Sequence, residues 1–270
     1  MKIKDKVVLI TGGASGIGRI MGRRCLEKGA KGLIIWDINP DSIATTCNDF
    51  APLGEVSGTL VDVSKLDDIK KGYEEAKARF GRVDILINCA GIVTSNNYFD
   101  GLTTTEIRRT MEINALAPMH IALALLPDML SRNEGHICNI ASAAGLLANP
   151  RMSAYAASKW AVIGWSDSLR VELKERKSNV HVTTIAPYYI NTGMFDGVKS
   201  RWFMPILDPE NTSRKILRSI ERNHTFNGIP WGFHIVRLFQ GIFPTPVFDY
   251  LFGHLFGVYH TMDHFTGRKK

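Results

Sequence analysis

Little in this chain of 270 residues points to a covalent or metal-built architecture. Its four cysteines, Cys25, Cys47, Cys89 and Cys138, stand far apart. No CxxC pair and no His/Cys cluster at ligand spacing occurs, which argues against a disulfide scaffold and against a metal site. The thiols read instead as small buried hydrophobes in a reducing compartment. Internal repeats and low-complexity tracts are absent. Met1-Lys-Ile-Lys-Asp-Lys6 runs straight into an apolar segment and leaves no room for a signal peptide or leading membrane helix. A cytoplasmic location is therefore expected. Basic clusters are also lacking: net charge is +7, but the lysines and arginines are scattered, which speaks against nucleic-acid binding.

What is present is enough apolar material for one core, at 45% hydrophobic residues. Strands are expected over 6–11, 32–37, 56–61, 83–88, 135–140 and 180–186. Helices are expected over 16–29, 40–50, 65–80, 103–131 and 151–176. Such alternation predicts an α/β fold with a doubly wound parallel sheet, in which ligands bind beyond the carboxyl ends of the strands. We divide the chain into a body, 1–195, and an aromatic-rich helical extension of the same domain, 196–270.

Two segments carry chemistry. Val7-Val8-Leu9-Ile10 is a continuous β-branched-rich run, as in a strand buried on both faces. Gly12, Ser15, Gly16, Ile17 and Gly18 follow, and then a helix. Glycines in that context let backbone amides approach a pyrophosphate, helped by the partial positive charge of the helix N-terminus. Asp37 ends the second strand nineteen residues after Gly18, where a carboxylate accepts a ribose 2′-hydroxyl and repels a 2′-phosphate. NAD is thus expected in preference to NADP, although Arg19 is a nearby cation. The second segment is Tyr155-Ala-Ala-Ser-Lys159, with Ser142 thirteen residues upstream. Helical residues at i and i+4 share a face. A cation beside a phenol favours the phenolate and lowers its pKa.

The G-x-x-x-G-x-G loop, Ser142 and the Tyr155/Lys159 pair together resemble the short-chain dehydrogenase/reductase family, single-domain NAD(P)-dependent oxidoreductases. Further motifs follow in order: Asp62-Val63, Asn88-Cys89-Ala90-Gly91, Asn114, and Pro187 to Thr192. Cys89 stands where the family has asparagine, and Tyr188 where it has glycine. The resemblance implies that Tyr155 is the acid-base, that Ser142 orients the substrate oxygen, and that Lys159 binds the nicotinamide ribose and depresses the tyrosine pKa. It also implies that Asn114 holds a connecting water. Asp62 and Val63 would contact adenine, though Asp62 equally suits a helix cap. Asn88, Ala90, Gly91, Pro187, Ile190 and Thr192 would line the cofactor site. Asn114 is unfavourable in mid-helix, and Pro118 should distort that helix.

Residues 226–265 hold eleven aromatics: Phe226, Trp231, Phe233, Phe239, Phe243, Phe248, Tyr250, Phe252, Phe256, Tyr259 and Phe265. Pro230, Pro244 and Pro246 break the stretch into short segments, and no apolar run of about 20 residues survives to span a membrane. Three readings stay open: an oligomer interface (homodimer or homotetramer) or substrate lid, a membrane-surface segment flanked by Arg268-Lys269-Lys270, or extra core. Separate short elements are expected over a core strand. The tail resembles the epidermal-type retinol dehydrogenase and 17β-hydroxysteroid dehydrogenase branch, which implies a hydrophobic alcohol as substrate. A 3-oxoacyl-thioester reductase and a non-catalytic dinucleotide-binding regulator are the alternatives.

Overall fold

In the computed structural model, which describes residues 1–200, 204–255 and 257–267, seven parallel strands lie in the order β3-β2-β1-β4-β5-β6-β7. Phe256 and Arg268-Lys269-Lys270 lie outside the described residues. The first half of the sheet comprises β1 (Val7–Thr11), β2 (Gly32–Asp37), β3 (Val56–Leu60) and β4 (Ile85–Asn88). The second half comprises β5 (Gly135–Ile140), β6 (Val180–Pro187) and β7 (Phe226–Ile229). The strand order reverses between β1 and β4, so a crevice opens beyond their carboxyl ends. Every residue of β1 and β4 is buried, as their unbroken apolar pattern requires. Each Ile or Leu so buried contributes about 1.5–3 kcal/mol of transfer free energy.

Helices α1 (Gly16–Glu27), α2 (Pro40–Phe50) and α3 (Leu66–Phe80) connect the first strands. Local chemistry sets their ends. Asn39 caps α2 by accepting from the Ser42 N–H ahead of Pro40, and Gly81 closes α3 at φ +76°. The expected long helix 103–131 is α4 (Thr104–Met111), a wide π turn over Glu112–Leu116, and α5 (Ala117–Arg132). Thr103 and Glu106 form a capping box at its start. Pro118 has no N–H for the Asn114 carbonyl, and the turn widens there, with Ala117 N–H bonded to Glu112. The run is long and apolar enough to cross a membrane, yet Ile121, Ala122, Leu125 and Met129 pack into the core. Helix α6 (Ser153–Glu175) follows β5 and carries Tyr155 and Lys159.

The sequence reading missed two elements. Helix α7 (Pro209–Glu221) is capped by Asp208 and packs Ile216, Leu217 and Ile220 into the core. The second is β7, Phe226–Ile229, which precedes the short helical elements expected of the tail and pairs to Thr184–Pro187 of β6. The remainder is helical, α8 (Phe233–Ile242) and α9 (Thr245–Asp249) with short turns after them. Phe233, Val236, Phe248, Val258 and Met262 are buried with Tyr155, Tyr188 and Tyr189. That half of the tail is therefore core. Its other half, Trp231, Leu238, Ile242, Val247, Tyr250 and Leu255, is exposed.

Candidate active site

The glycine loop is built by contacts that leave no room for side chains. Gly12 has φ +64°, and a Cβ on Gly18 would lie 2.1 Å from the Gly12 carbonyl oxygen. Thr11, which the sequence reading passed over, accepts hydrogen bonds from Cys89 N–H at 3.0 Å and Ala90 N–H at 3.1 Å. It thus ties the end of β1 to the loop after β4. Asp37 accepts from the Ala14 N–H at 3.0 Å with one oxygen, and from Ile38 and Asn39 with the other. Arg19 is engaged by Asp49 and Thr46, on the α2 side of the loop.

A cleft of about 160 Å³ follows from this arrangement. Of the residues expected at the site, Gly12, Ser15, Gly16, Ile17, Gly18, Ala90, Gly91, Ser142, Tyr155, Lys159, Pro187, Ile190 and Thr192 line it. So do Cys89, Tyr188, Met194 and Phe195, of which the last two were not expected. Asp37, Asp62, Val63, Asn88 and Asn114 do not line it. Asp62 Oδ1 accepts from the Ser64 N–H and hydroxyl in the turn ahead of α3, whose N-cap is Lys65, so Asp62 does not cap that helix. Val63 is buried in the core beneath. The Asn88 amide donates to Asn139 Oδ1 at 2.8 Å, which locks β4 to β5. Asn114, in the π turn, accepts from Ile92 N–H at 2.8 Å and donates to Ile92 O and to Ser158 Oγ. Ser158 in turn donates to the Tyr155 carbonyl at 2.6 Å. Ser158 gave no sequence signal, because its role depends on a partner 44 residues away.

Tyr155 is buried, hydrogen-bonded to Ser142, with Phe195 edge-on at 6.1 Å. Lys159 donates to the Ile140 carbonyl at 3.0 Å, and its Nζ lies 5.7 Å from the Tyr155 ring centre. The expectation that the lysine lowers the tyrosine pKa is corrected here. Burial dominates and pushes Tyr155 up to about 12, partly opposed by Ser142. Burial also brings Lys159 down to about 8. Removing either charge-bearing form from water costs more than the pair recovers at that separation. Cys89, beside Lys159, is likewise raised to about 12 by burial. A largely apolar cavity adjoins the cleft on its other side; Ser142, Tyr155, Tyr188 and Phe195 line both, and Leu147, Asn149, Met152, Tyr189 and Phe233 are among the others that line it.

A switch-point cleft with a glycine loop, meeting an apolar cavity at a serine and a tyrosine, defines a dinucleotide-dependent oxidoreductase. The short chain dehydrogenase family model matches residues 6–201. The chain is 33% identical over 277 residues to epidermal retinol dehydrogenase 2 of Mus musculus, covering 99% of this chain and 87% of that protein. It is 32% identical over 251 residues to estradiol 17-beta-dehydrogenase 11 of Rattus norvegicus, covering 92% and 83%. A solved short-chain dehydrogenase/reductase from Burkholderia phymatum, in complex with NAD, superposes with a TM-score of 0.81 at 25% identity, covering 89% of this chain and 95% of that one. The chain belongs to the short-chain dehydrogenase family, and its chemistry is oxidation and reduction at CH–OH groups.

Proposed function

We propose that this chain interconverts a hydrophobic alcohol, secondary or retinoid- or steroid-like, with its carbonyl, using NAD(H). The carrying observation is that Ser142 and Tyr155 stand on the wall shared by the glycine-loop cleft and an apolar cavity. The cleft suits a dinucleotide: the loop excludes side chains at Gly12 and Gly18, as close approach to a pyrophosphate requires. Bound there, the nicotinamide supplies the hydride acceptor or donor. Ser15, Gly16, Ile17 and Gly18 would hold the phosphates. Asp37 takes the ribose hydroxyl: three of the carboxylate's roughly four acceptor positions are used by backbone, which leaves one. Asp62 and Val63, beyond the cleft lining, would serve the adenine, and Asn88 fixes the loop that would present Ala90 and Gly91. Pro187, Ile190 and Thr192 would border the nicotinamide. Arg19 pairs with Asp49 at the surface, and Asp37 is the charge that supports NAD over NADP.

Ser142 orients the substrate oxygen, and Tyr155 exchanges a proton with it. Held protonated, Tyr155 is a donor for carbonyl reduction; in oxidation the positive charge of the oxidised nicotinamide, once bound, would favour the phenolate that accepts the alcohol proton. Asn114 acts by position, holding Ile92 and, through Ser158, the turn that carries Tyr155. A pure dinucleotide sensor needs no such acid-base group. The test is turnover with NAD+ and NADP+ of steroids, retinoids, aliphatic secondary alcohols and 3-hydroxyacyl thioesters. Turnover of apolar alcohols with NAD+ is expected. Thioesters alone turned over, with NADP+, would replace this reading with the reductase one. The exposed tail side chains Trp231, Leu238, Ile242 and Tyr250 support contact with a membrane surface or a second copy of the chain.

A further inference from the structure

Besides Ser142 and the hydroxyls of Tyr155, Tyr188 and Tyr189, the cavity is lined by one amide, and that amide is held in a single orientation. Asn149 is 9% exposed and lines that cavity beside Tyr155, Tyr189 and Phe195. Its amide nitrogen lies 2.8 Å from the Tyr189 hydroxyl and 3.2 Å from the Thr261 hydroxyl. The protons of this cluster can be assigned in turn. Thr261 donates its own to the Val258 carbonyl at 2.9 Å, so it accepts from Tyr189 at 3.0 Å. Both oxygens then offer only lone pairs to Asn149, and only the NH2 end of the amide suits them. Its carbonyl Oδ1 is thereby turned away, buried and without a hydrogen-bond partner. A buried acceptor left unpaired is costly, and a ligand that brings a donor relieves the cost.

We propose that Asn149 is a specificity-determining residue whose Oδ1 accepts a hydrogen bond from a second hydroxyl of the substrate. The enzyme then selects an apolar alcohol that carries a donor away from the reacting carbon. The inference rests on the hydrophobic-alcohol reading above. Asn149 also borders an outer groove of about 830 Å³ beside Trp160, Phe243 and Tyr259, so it stands between the reacting centre and the protein surface. Without an acceptor, a wholly apolar cavity penalises an added hydroxyl, because the group leaves water unpaired. The sign of the preference is therefore diagnostic.

The experiment compares kcat/KM with NAD+ for 2-decanol against decanediols whose second hydroxyl is moved along the chain. The same comparison is made for 17β-hydroxyandrostane with and without a 3-hydroxyl. At least one diol should exceed its parent by on the order of tenfold. In Asn149→Leu the ratio should fall to one or below, whereas a merely structural role would lower both partners alike. NADH binding reports whether the variant is folded, and the wild-type comparison stands without it. Parents preferred over every diol by the wild-type enzyme, or a diol preference that survives in Asn149→Leu, overturns the inference. Failure to turn over any alcohol removes the hydrophobic-alcohol reading itself, a different outcome.

Discussion

Tyr155 sits at the meeting of two cavities, on a wall that it shares with Ser142, Tyr188 and Phe195. Tyr155→Phe keeps the ring contact with Phe195 and removes the exchangeable proton. We expect kcat to fall by about 10²–10⁴-fold, with the NADH dissociation constant nearly unchanged. Activity within a few-fold of wild type, measured alongside NADH titration, would remove Tyr155 from the mechanism. Asp37 is argued from charge. Asp37→Ala should weaken NADH binding and relieve repulsion of a 2′-phosphate, so that the ratio of the NADPH and NADH dissociation constants narrows. Because Asp37 also holds the Ala14 N–H, some loss for both cofactors is expected. Tighter NADPH than NADH binding by the unmodified protein would contradict the assignment.

Two elements make predictions of their own. The β1–α1 turn depends on a bare Gly18, since a methyl group there meets the Gly12 carbonyl at 2.1 Å. Backbone must shift, so Gly18→Ala should cost on the order of tenfold or more in NADH affinity while the chain stays folded by circular dichroism. Strands β5 and β6 bury His136 against Thr183 at 2.8 Å. Burial, with help from the N-terminal charge and His181, lowers the imidazole pKa from 6.5 to about 3. The unfolded chain therefore binds a proton that the fold refuses. This stability is fully present above pH 6.5 and is lost as pH falls from 6.5 towards about 3. Urea midpoints across that window should drop steeply for the wild type. In His136→Gln they should start lower near neutral pH but fall less, and parallel slopes would exclude His136 as the cause.

At the scale of the whole molecule, the aromatic tail has two faces with different consequences. Its inner face carries β7 and the side chains packed on Tyr155 and Tyr189, so deletion of 226–270 should cost the fold rather than only the substrate site. Its outer face leaves Trp231 71%, Leu238 60% and Ile242 60% exposed. Leu238→Glu with Ile242→Glu removes apolar surface without touching a buried contact. We expect the double variant to retain NADH binding and to lose sedimentation with liposomes or with itself. A wild-type protein that runs as a monomer and ignores liposomes would mean that this face meets only water.

Much of the molecule was legible in the order of its residues. Period and punctuation placed six of the seven strands, because unbroken runs such as Val7 to Ile10 have few alternatives to a buried parallel strand. The cofactor loop and the Tyr155/Lys159 pair were readable because both work through local spacing. Three features were decided only by the tertiary structure. Phe226–Ile229 carries Asn227 and Gly228, both poor strand formers, and becomes a strand because β6 offers an open edge. The tyrosine pKa moved opposite to expectation, because dehydration depends on what folds over the phenol and not on its i+4 neighbour. The polar cluster of Asn149, Tyr189 and Thr261 joins residues up to 112 positions apart, and no local pattern records hydrogen bonds that form only when distant segments close on one another.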